Sequence, residues 1–356
     1  MNITVIGAGN SGLAMAAHLA LEGNKVVLWN RSKDPISKLR NTRTIYCKGM
    51  ISDAVQIDLV TDNIEDALAK SEVILITTPA NSHKYLAELI AKNLKKEALI
   101  VLNPGRTFGA LEFNEIFKQN NKIKISLAET QTIIYTCRKI SEDTVNIITI
   151  KSGVLISTFD ANENERIIKR LPKCLQGYYK PATSMIETSI GNVGMILHCA
   201  PLLLNTGWTE CKTSIYKYYY DGITPSIANL LEKLDAERIQ VSKKLGFEVE
   251  TTKEWLMRTY NVKGQNLYEC IQNNQAYKTI DAPKSLNHRY IYEDVPCGLV
   301  PLEAIGKILG LKMEYTSLII DLAISLTDID YRNIGRNLSN ICKDKDLRQL
   351  FKRRTT

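Results

Sequence analysis

Asn2-Ile-Thr-Val-Ile-Gly7-Ala-Gly9-Asn10-Ser11-Gly12-Leu-Ala14 is the stretch on which the fold turns. Four apolar or β-branched residues make a short strand, three glycines make a turn, and a run of small and apolar residues opens a helix. A G-x-G-x-x-G between a strand and a helix is the dinucleotide-binding fingerprint. Gly7 permits the sharp turn, Gly9 lets backbone approach a pyrophosphate, and Gly12 lets helix and strand pack closely. The helix starting at Asn10 and Ser11 turns its free N–H groups and its positive dipole end toward the phosphates.

Working outward, Lys25–Trp29 is the second strand of a β-α-β unit, with Gly23-Asn24 as the turn before it. Short strands are expected at Thr44–Cys47 and Val55–Val60, and a short capped helix at Asn63–Lys70. Glu72–Thr77 reads as a continuously apolar strand, as in a parallel sheet covered on both faces. Thr78-Pro79-Ala80-Asn81 then turns into an amphipathic helix over Ser82–Leu94. Ala98–Leu102 ends at Asn103-Pro104-Gly105-Arg106. A helix through Phe117 and strands at Ile123–Ala128, Val145–Ile150 and Val154–Phe159 continue the alternation, closed by a helix at Glu163–Leu171. Strands and helices in turn predict an α/β fold with a doubly wound, Rossmann-type domain over 1–182. Gly7–Gly12, Thr78–Asn81 and Asn103–Arg106 are expected to line one crevice at the strand ends, with Thr78, Pro79 and Asn103 against the cofactor.

From residue 183 to 356 the strand pattern largely stops. Met185–Leu204, Pro225–Leu245, Leu302–Leu309 and Tyr315–Leu326 read as helices, and Asn287–Pro296 as an extended segment. This predicts a mostly α-helical domain for substrate, catalysis and dimerisation.

A net charge of +8 over 356 residues suits anionic small molecules, and no basic stripe with interleaved aromatics points to nucleic acid. The basic end (Lys343, Lys345, Arg348, Lys352, Arg353, Arg354) is expected to be a solvated tail. Eight scattered cysteines show no metal-ligand spacing, so no metal is expected, and they fit buried thiols of a reducing compartment. With no segment that reads as a signal peptide or a membrane span, a cytoplasmic protein is expected.

In NAD-binding units a carboxylate at the end of the second strand takes the ribose hydroxyls. Here Asn30-Arg31-Ser32 offers none and supplies a cation for a 2′-phosphate, so NADP is expected ahead of NAD.

Four histidines limit the choice of acid–base group. His18 falls inside the first helix, His83 follows the Pro79 turn, and His288 adjoins Arg289. His198 is the most informative. At seven-residue spacing Gly191, His198 and Asn205 share one helix face, a small and polar stripe suited to a cavity. Pro201 removes the N–H that would bond to Leu197 and should bend the helix. The pattern alone leaves a packed core histidine and a catalyst equally open. In His288-Arg-Tyr-Ile-Tyr-Glu-Asp294-Val-Pro296, Arg289 is suited to a substrate carboxylate and Asp294 to orienting an imidazole. In a regular strand these two point to opposite faces, so a bend at Asp294–Pro296 is required.

Together these segments resemble the NAD/NADP octopine/nopaline (opine) dehydrogenase family. The resemblance runs from the first strand to about residue 326. It rests on Gly7–Gly12, Asn103-Pro-Gly105 with Gly-Ala-Leu-Glu112, Glu129-Thr130 with Tyr135 and Arg138, Asn192 to His198 to Asn205, and above all His288–Pro296 with Gly298-Leu-Val-Pro301. It implies the joining of an α-keto acid to an amino acid and reduction of the imine by NAD(P)H. His198 is then the acid–base group, Asp294 its partner, and Arg289 a carboxylate ligand, with Arg138 or Arg106 as further cations; Glu129 and Asn205 join them as substrate contacts. The proline that usually follows the family's histidine is Cys199 here, and one expected after the last glycine turn is missing from Gly310-Leu-Lys-Met-Glu314. The resemblance implies small-molecule substrates and a homodimer, with no membrane or nucleic-acid partner. A ketopantoate-reductase-like or 2-hydroxy-acid reductase is the nearest alternative, but Met185–Leu204 lacks the lysine such enzymes carry. A non-catalytic nucleotide-binding regulator needs neither His198 nor Asp294.

Overall fold

The structure is a computed structural model that describes residues 1–336, 338 and 347–355. It divides into two compact units, Met1–Ser189 with Gln349–Thr356, and Ile190–Arg348. The first break thus lies several residues beyond 182, because the helix Met185–Ser189 is tied to the first unit. Thr188 and Ser189 hydroxyls both donate to the Glu129 carboxylate.

Among the described residues, twelve strands build the first unit: β1 (Asn2–Ile6), β2 (Lys25–Trp29), β3 (Thr44–Gly49), β4 (Ala54–Gln56), β5 (Leu59–Thr61), β6 (Val73–Ile76), β7 (Leu99–Leu102), β8 (Ser126–Thr130), β9 (Tyr135–Ser141), β10 (Thr144–Ile150), β11 (Val154–Ser157) and β12 (Tyr179–Pro181). The main sheet runs β12-β11-β8-β7-β6-β1-β2-β5, and β4-β3-β10-β9 form a smaller one. From β5 to β8 the pairing is parallel throughout. Strand order reverses between β1 and β6, which is the switch point where a doubly wound sheet binds its ligand. Every residue of β6 and β7 is buried, as their unbroken apolar sequence requires.

Three expectations change in this unit. Val55–Val60 is not one strand. Asp58 turns the chain by accepting the Val26 N–H at 2.7 Å, so β4 pairs with β3 and β5 with β2. β9 went unread because its alternation is broken by Arg138 and Lys139 in succession. The basic end is not simply a solvated tail: Phe351 is buried between Phe108 and Phe159, and Lys352 exchanges backbone hydrogen bonds with Phe159 and Ala161. Lys343, Lys345 and the Arg348 side chain lie outside the described residues.

The second unit is helical, with Gly194–Leu204, Pro225–Lys244, Thr252–Tyr260, Leu267–Gln272, Val300–Ile308 and Glu314–Thr327. Pro225 at the first turn and the Thr224 hydroxyl on Ile227 N–H start the longest helix. Within it, fully buried Arg238 binds Asp235 at 2.7 Å and the carbonyls of Ile190 and Glu250. Asp235 accepts the Thr252 N–H, so one buried ion pair fixes both the entry to Gly194–Leu204 and the start of Thr252–Tyr260. Glu237 caps Glu314–Thr327 by accepting from Tyr315 and Thr316.

The predicted single helix Met185–Leu204 is interrupted at 190–193, and Asn287–Pro296 is not extended. His288 is an N-cap whose Nδ1 accepts the Tyr290 N–H, and Arg289–Tyr292 is a helical turn. Val295–Leu299 follows as a π-helical turn that accepts Pro296 near its start, where a missing N–H costs nothing. The segment expected to be extended is therefore helical, and the difficulty of opposite strand faces disappears.

Candidate active site

Parallel register sets the candidate cofactor site of the first unit. Ile6 pairs with Trp29 and with Ile76, Ile76 with Leu102, and Leu102 with Glu129, so these strand ends form one edge. Gly7, Asn30, Thr77 and Asn103 are the residues that leave it. Gly7 has φ +105°, and a Cβ on Gly12 would lie 1.7 Å from the Gly7 carbonyl oxygen, so no larger residue fits either place. At Gly9 a Cβ would meet only open space. The helix Asn10–Leu21 has no acidic residue in its first turn to offset its dipole. Open backbone, room and a positive helix end fit a pyrophosphate.

Around this loop, Asn30 Oδ1 accepts the Ala8 N–H at 3.1 Å and its amide donates to Ser32 O. Arg31 is exposed, with its guanidinium carbon 5.7 Å from the centre of the Tyr85 ring. Asn10 Oδ1 accepts the Lys139 N–H, and the Ser11 hydroxyl meets the Cys137 thiol. Thr78 Oγ1 shares a hydrogen with Ser82 Oγ, which also donates to Pro79 O. The Asn103 side chain is buried, donating to Val101 O and accepting from Tyr179.

Glu129 is the penultimate residue of β8 and is completely buried rather than facing a cleft. Its oxygens accept from the Ala110 N–H, Thr188 and Ser189. Arg106 is buried, whereas Arg138 is exposed. His83 is buried at the start of its helix. His18 packs in the core with Nδ1 2.9 Å from the Tyr135 hydroxyl, and burial lowers its pKa.

A separate constellation lies within the helical unit. His198 Nδ1 is 2.7 Å from Asp294 Oδ2; the imidazole is 18% exposed and the carboxylate 0%. The Tyr290 ring stacks on the imidazole at 3.9 Å and 12°. Tyr218 donates to the His198 carbonyl at 2.5 Å and reaches that of Leu197 at 3.5 Å, the acceptor that Pro201 leaves without its helical N–H. Cys199 Sγ donates to Tyr290 O and so joins the two segments. Backbone, ring and carboxylate thus fix the imidazole from three sides. The Nδ1 contact with Asp294 sets the plane of the ring, as a carboxylate does for an acid–base imidazole.

Arg289, on the turn that carries Tyr290, is about half exposed, with Nε 3.1 Å from buried Glu293. His288 is held neutral: burial first, then Arg289 and His198, push its pKa down to about 4. Asn205 is the C-cap of Gly194–Leu204 and donates to Pro201 O and Gly222 O at 2.8 Å each. The stripe of Gly191, His198 and Asn205 is therefore not one helical face: Gly191 precedes the helix and Asn205 ends it. The structure brings together His198, Asp294 and the Arg289 turn. Sequence reasoning missed Tyr290 and Tyr218; the run Tyr218-Tyr-Tyr220, which supplies Tyr218, was the signal available. Among the described residues no cluster suits a metal ion, and no helix is long and apolar enough to cross a membrane.

Residues 181–327 match the family model "NAD/NADP octopine/nopaline dehydrogenase, alpha-helical domain", and residues 2–105 match "NAD-dependent glycerol-3-phosphate dehydrogenase N-terminus". The chain is 35% identical over 338 residues to an opine dehydrogenase of Arthrobacter sp. (strain 1C), covering 95% of this chain and 94% of that one. Its fold is similar to octopine dehydrogenase solved with NADH and L-arginine, with TM-score 0.76, 18% identity and 95% and 93% of the two chains covered. It is also similar to yersinopine dehydrogenase bound to NADP+, with TM-score 0.74, 14% identity and 96% of each chain.

Proposed function

Because the chain belongs to the opine dehydrogenase family of NAD(P)-dependent oxidoreductases, we propose that it joins an α-keto acid to an amino acid through His198 and Asp294. The observation that carries this reading is the 2.7 Å contact of His198 Nδ1 with a fully buried carboxylate. In the condensation the amine nitrogen bonds to the keto carbon and gives up two protons, and the C–O bond breaks as the oxygen leaves with two protons as water. His198 holds at Nε2 the proton that the departing oxygen takes, while Asp294 stabilises the imidazolium and keeps Nδ1 protonated. The bound nicotinamide supplies the hydride that reduces the imine carbon. Pyruvate is the keto acid to try first, since octopine dehydrogenase has been solved with it.

The product carries two carboxylates, so the site needs cations. Arg289 spends Nε on Glu293 and has four other N–H donors for a carboxylate. Glu129 and Asn205, both engaged with the chain itself, serve substrate by holding Ala110 and Gly222 in place. Arg31, with no carboxylate in Asn30-Arg31-Ser32, favours NADPH. The scattered free thiols support the cytoplasm as the compartment. Exposed Ile308, Leu318 and Leu326 support a homodimer through the helical unit.

The test is a His198→Ala protein assayed with NADPH, pyruvate and a panel of amino acids. Turnover should fall by at least about 100-fold, the lower end for loss of a general acid–base group, while fluorescence titration gives an unchanged NADPH Kd. Wild-type turnover in the variant would refute the assignment.

A further inference from the structure

We propose that Lys139 is a second cation reading the 2′-phosphate of the cofactor, and that with Arg31 it sets the preference for NADPH. Its ammonium donates to Ala8 O in the glycine loop at 3.1 Å and to Pro35 O beyond Arg31 at 3.4 Å. Its backbone N–H is fixed on Asn10, the first residue of the loop's helix. Lys139 thus lies where the glycine loop meets the segment after β2, the ribose corner of a Rossmann site.

The surrounding cations separate into two groups. Lys33 and Arg40 are paired with Asp62, and Lys38 with Asp143. The nearby Glu142 carboxylate accepts from Ser37 and the Lys38 N–H. Among the described residues, Arg31 and Lys139 have no carboxylate within ion-pair distance. Lys139 is also partly buried, and that burial pulls its pKa below the usual lysine value. Glu142 and Asp143 partly offset that burial from a distance, but the hydrogen bonds of the ammonium go to carbonyl oxygens, so a phosphate dianion would be its one contacting counter-charge. The pyrophosphate belongs to the open Gly9 and the helix end, whereas Pro35 lies on the adenosine side of the loop. The inference rests on the reading of this chain as an NADP-linked enzyme.

Dissociation constants for NADPH, NADH, 2′,5′-ADP and 5′-AMP, measured by fluorescence or calorimetry, test it without turnover. Lys139→Met keeps the aliphatic stem and should weaken NADPH and 2′,5′-ADP about 10- to 100-fold, with NADH and 5′-AMP changed less than about threefold. Lys139→Arg should retain most of the preference. Equal losses for phosphorylated and unphosphorylated ligands, or no loss in Lys139→Met, would overturn the proposal, as would a Lys139→Arg protein as weak as Lys139→Met. If wild type prefers NADPH and only Arg31→Ala removes that preference, the role of Lys139 alone falls. If wild type binds NADH at least as tightly as NADPH, the NADP reading falls, and this inference with it.

Discussion

Asp294 is fully buried against an imidazole that is itself held by a stacked tyrosine and a bonded backbone. Replacing the carboxylate by an amide keeps the volume but removes the charge and permits the wrong imidazole tautomer. We expect Asp294→Asn to lower kcat by roughly 100-fold or more while NADPH binding is kept. A kcat within a fewfold of wild type would show that the carboxylate is structural. The pattern alone left His198 equally readable as a packed core histidine, and its pairing with Asp294 was legible only through the family resemblance; the two side chains lie 2.7 Å apart. Tyr290 was not legible, because ring stacking leaves no spacing pattern when its partner lies 92 residues away.

The helical turn Arg289–Tyr292 depends on a neutral His288, whose Nδ1 accepts the Tyr290 N–H. The folded-state pKa of about 4 lies below the usual 6.5. Between these values the unfolded chain binds a proton that the folded one does not. The stabilisation is therefore full above about pH 6.5 and is lost as the pH falls toward 4. His288→Asn keeps a capping acceptor and removes the titration. The drop in Tm from about pH 7 to pH 5 should be smaller in that variant than in wild type, and equal drops would contradict the assignment. Elements with an unbroken apolar run were legible, such as β6 and β7. The turn at 289–292 was not, since Pro296 biases the residue before it toward extended backbone, while the helical turn is set by the His288 cap. β4 and β5 were merged because the Asp58 turn is made by a bond to Val26, distant in sequence.

At the scale of the whole molecule, the chain returns at its end to the unit where it began. Phe351 packs on Phe108 and Phe159, so Phe351→Ala should cost about 3 kcal/mol in urea unfolding. Amide exchange should place the loss in strands such as β8 and β11 and leave Val300–Ile308 protected. Uniform loss, or none, would contradict this docking. A basic end reads as solvated because its charges are obvious and one phenylalanine is not; burial of that ring follows from tertiary structure alone. The doubly wound order was legible because each strand and helix is local, whereas the smaller sheet joins residues about 100 apart. The most direct measurement is NADPH oxidation with pyruvate and an amino acid, together and separately, with the product identified by mass. Oxidation that requires both, yielding a secondary amine with two carboxylates, is the predicted result. Oxidation by the keto acid alone, with a hydroxy acid as product, would contradict it.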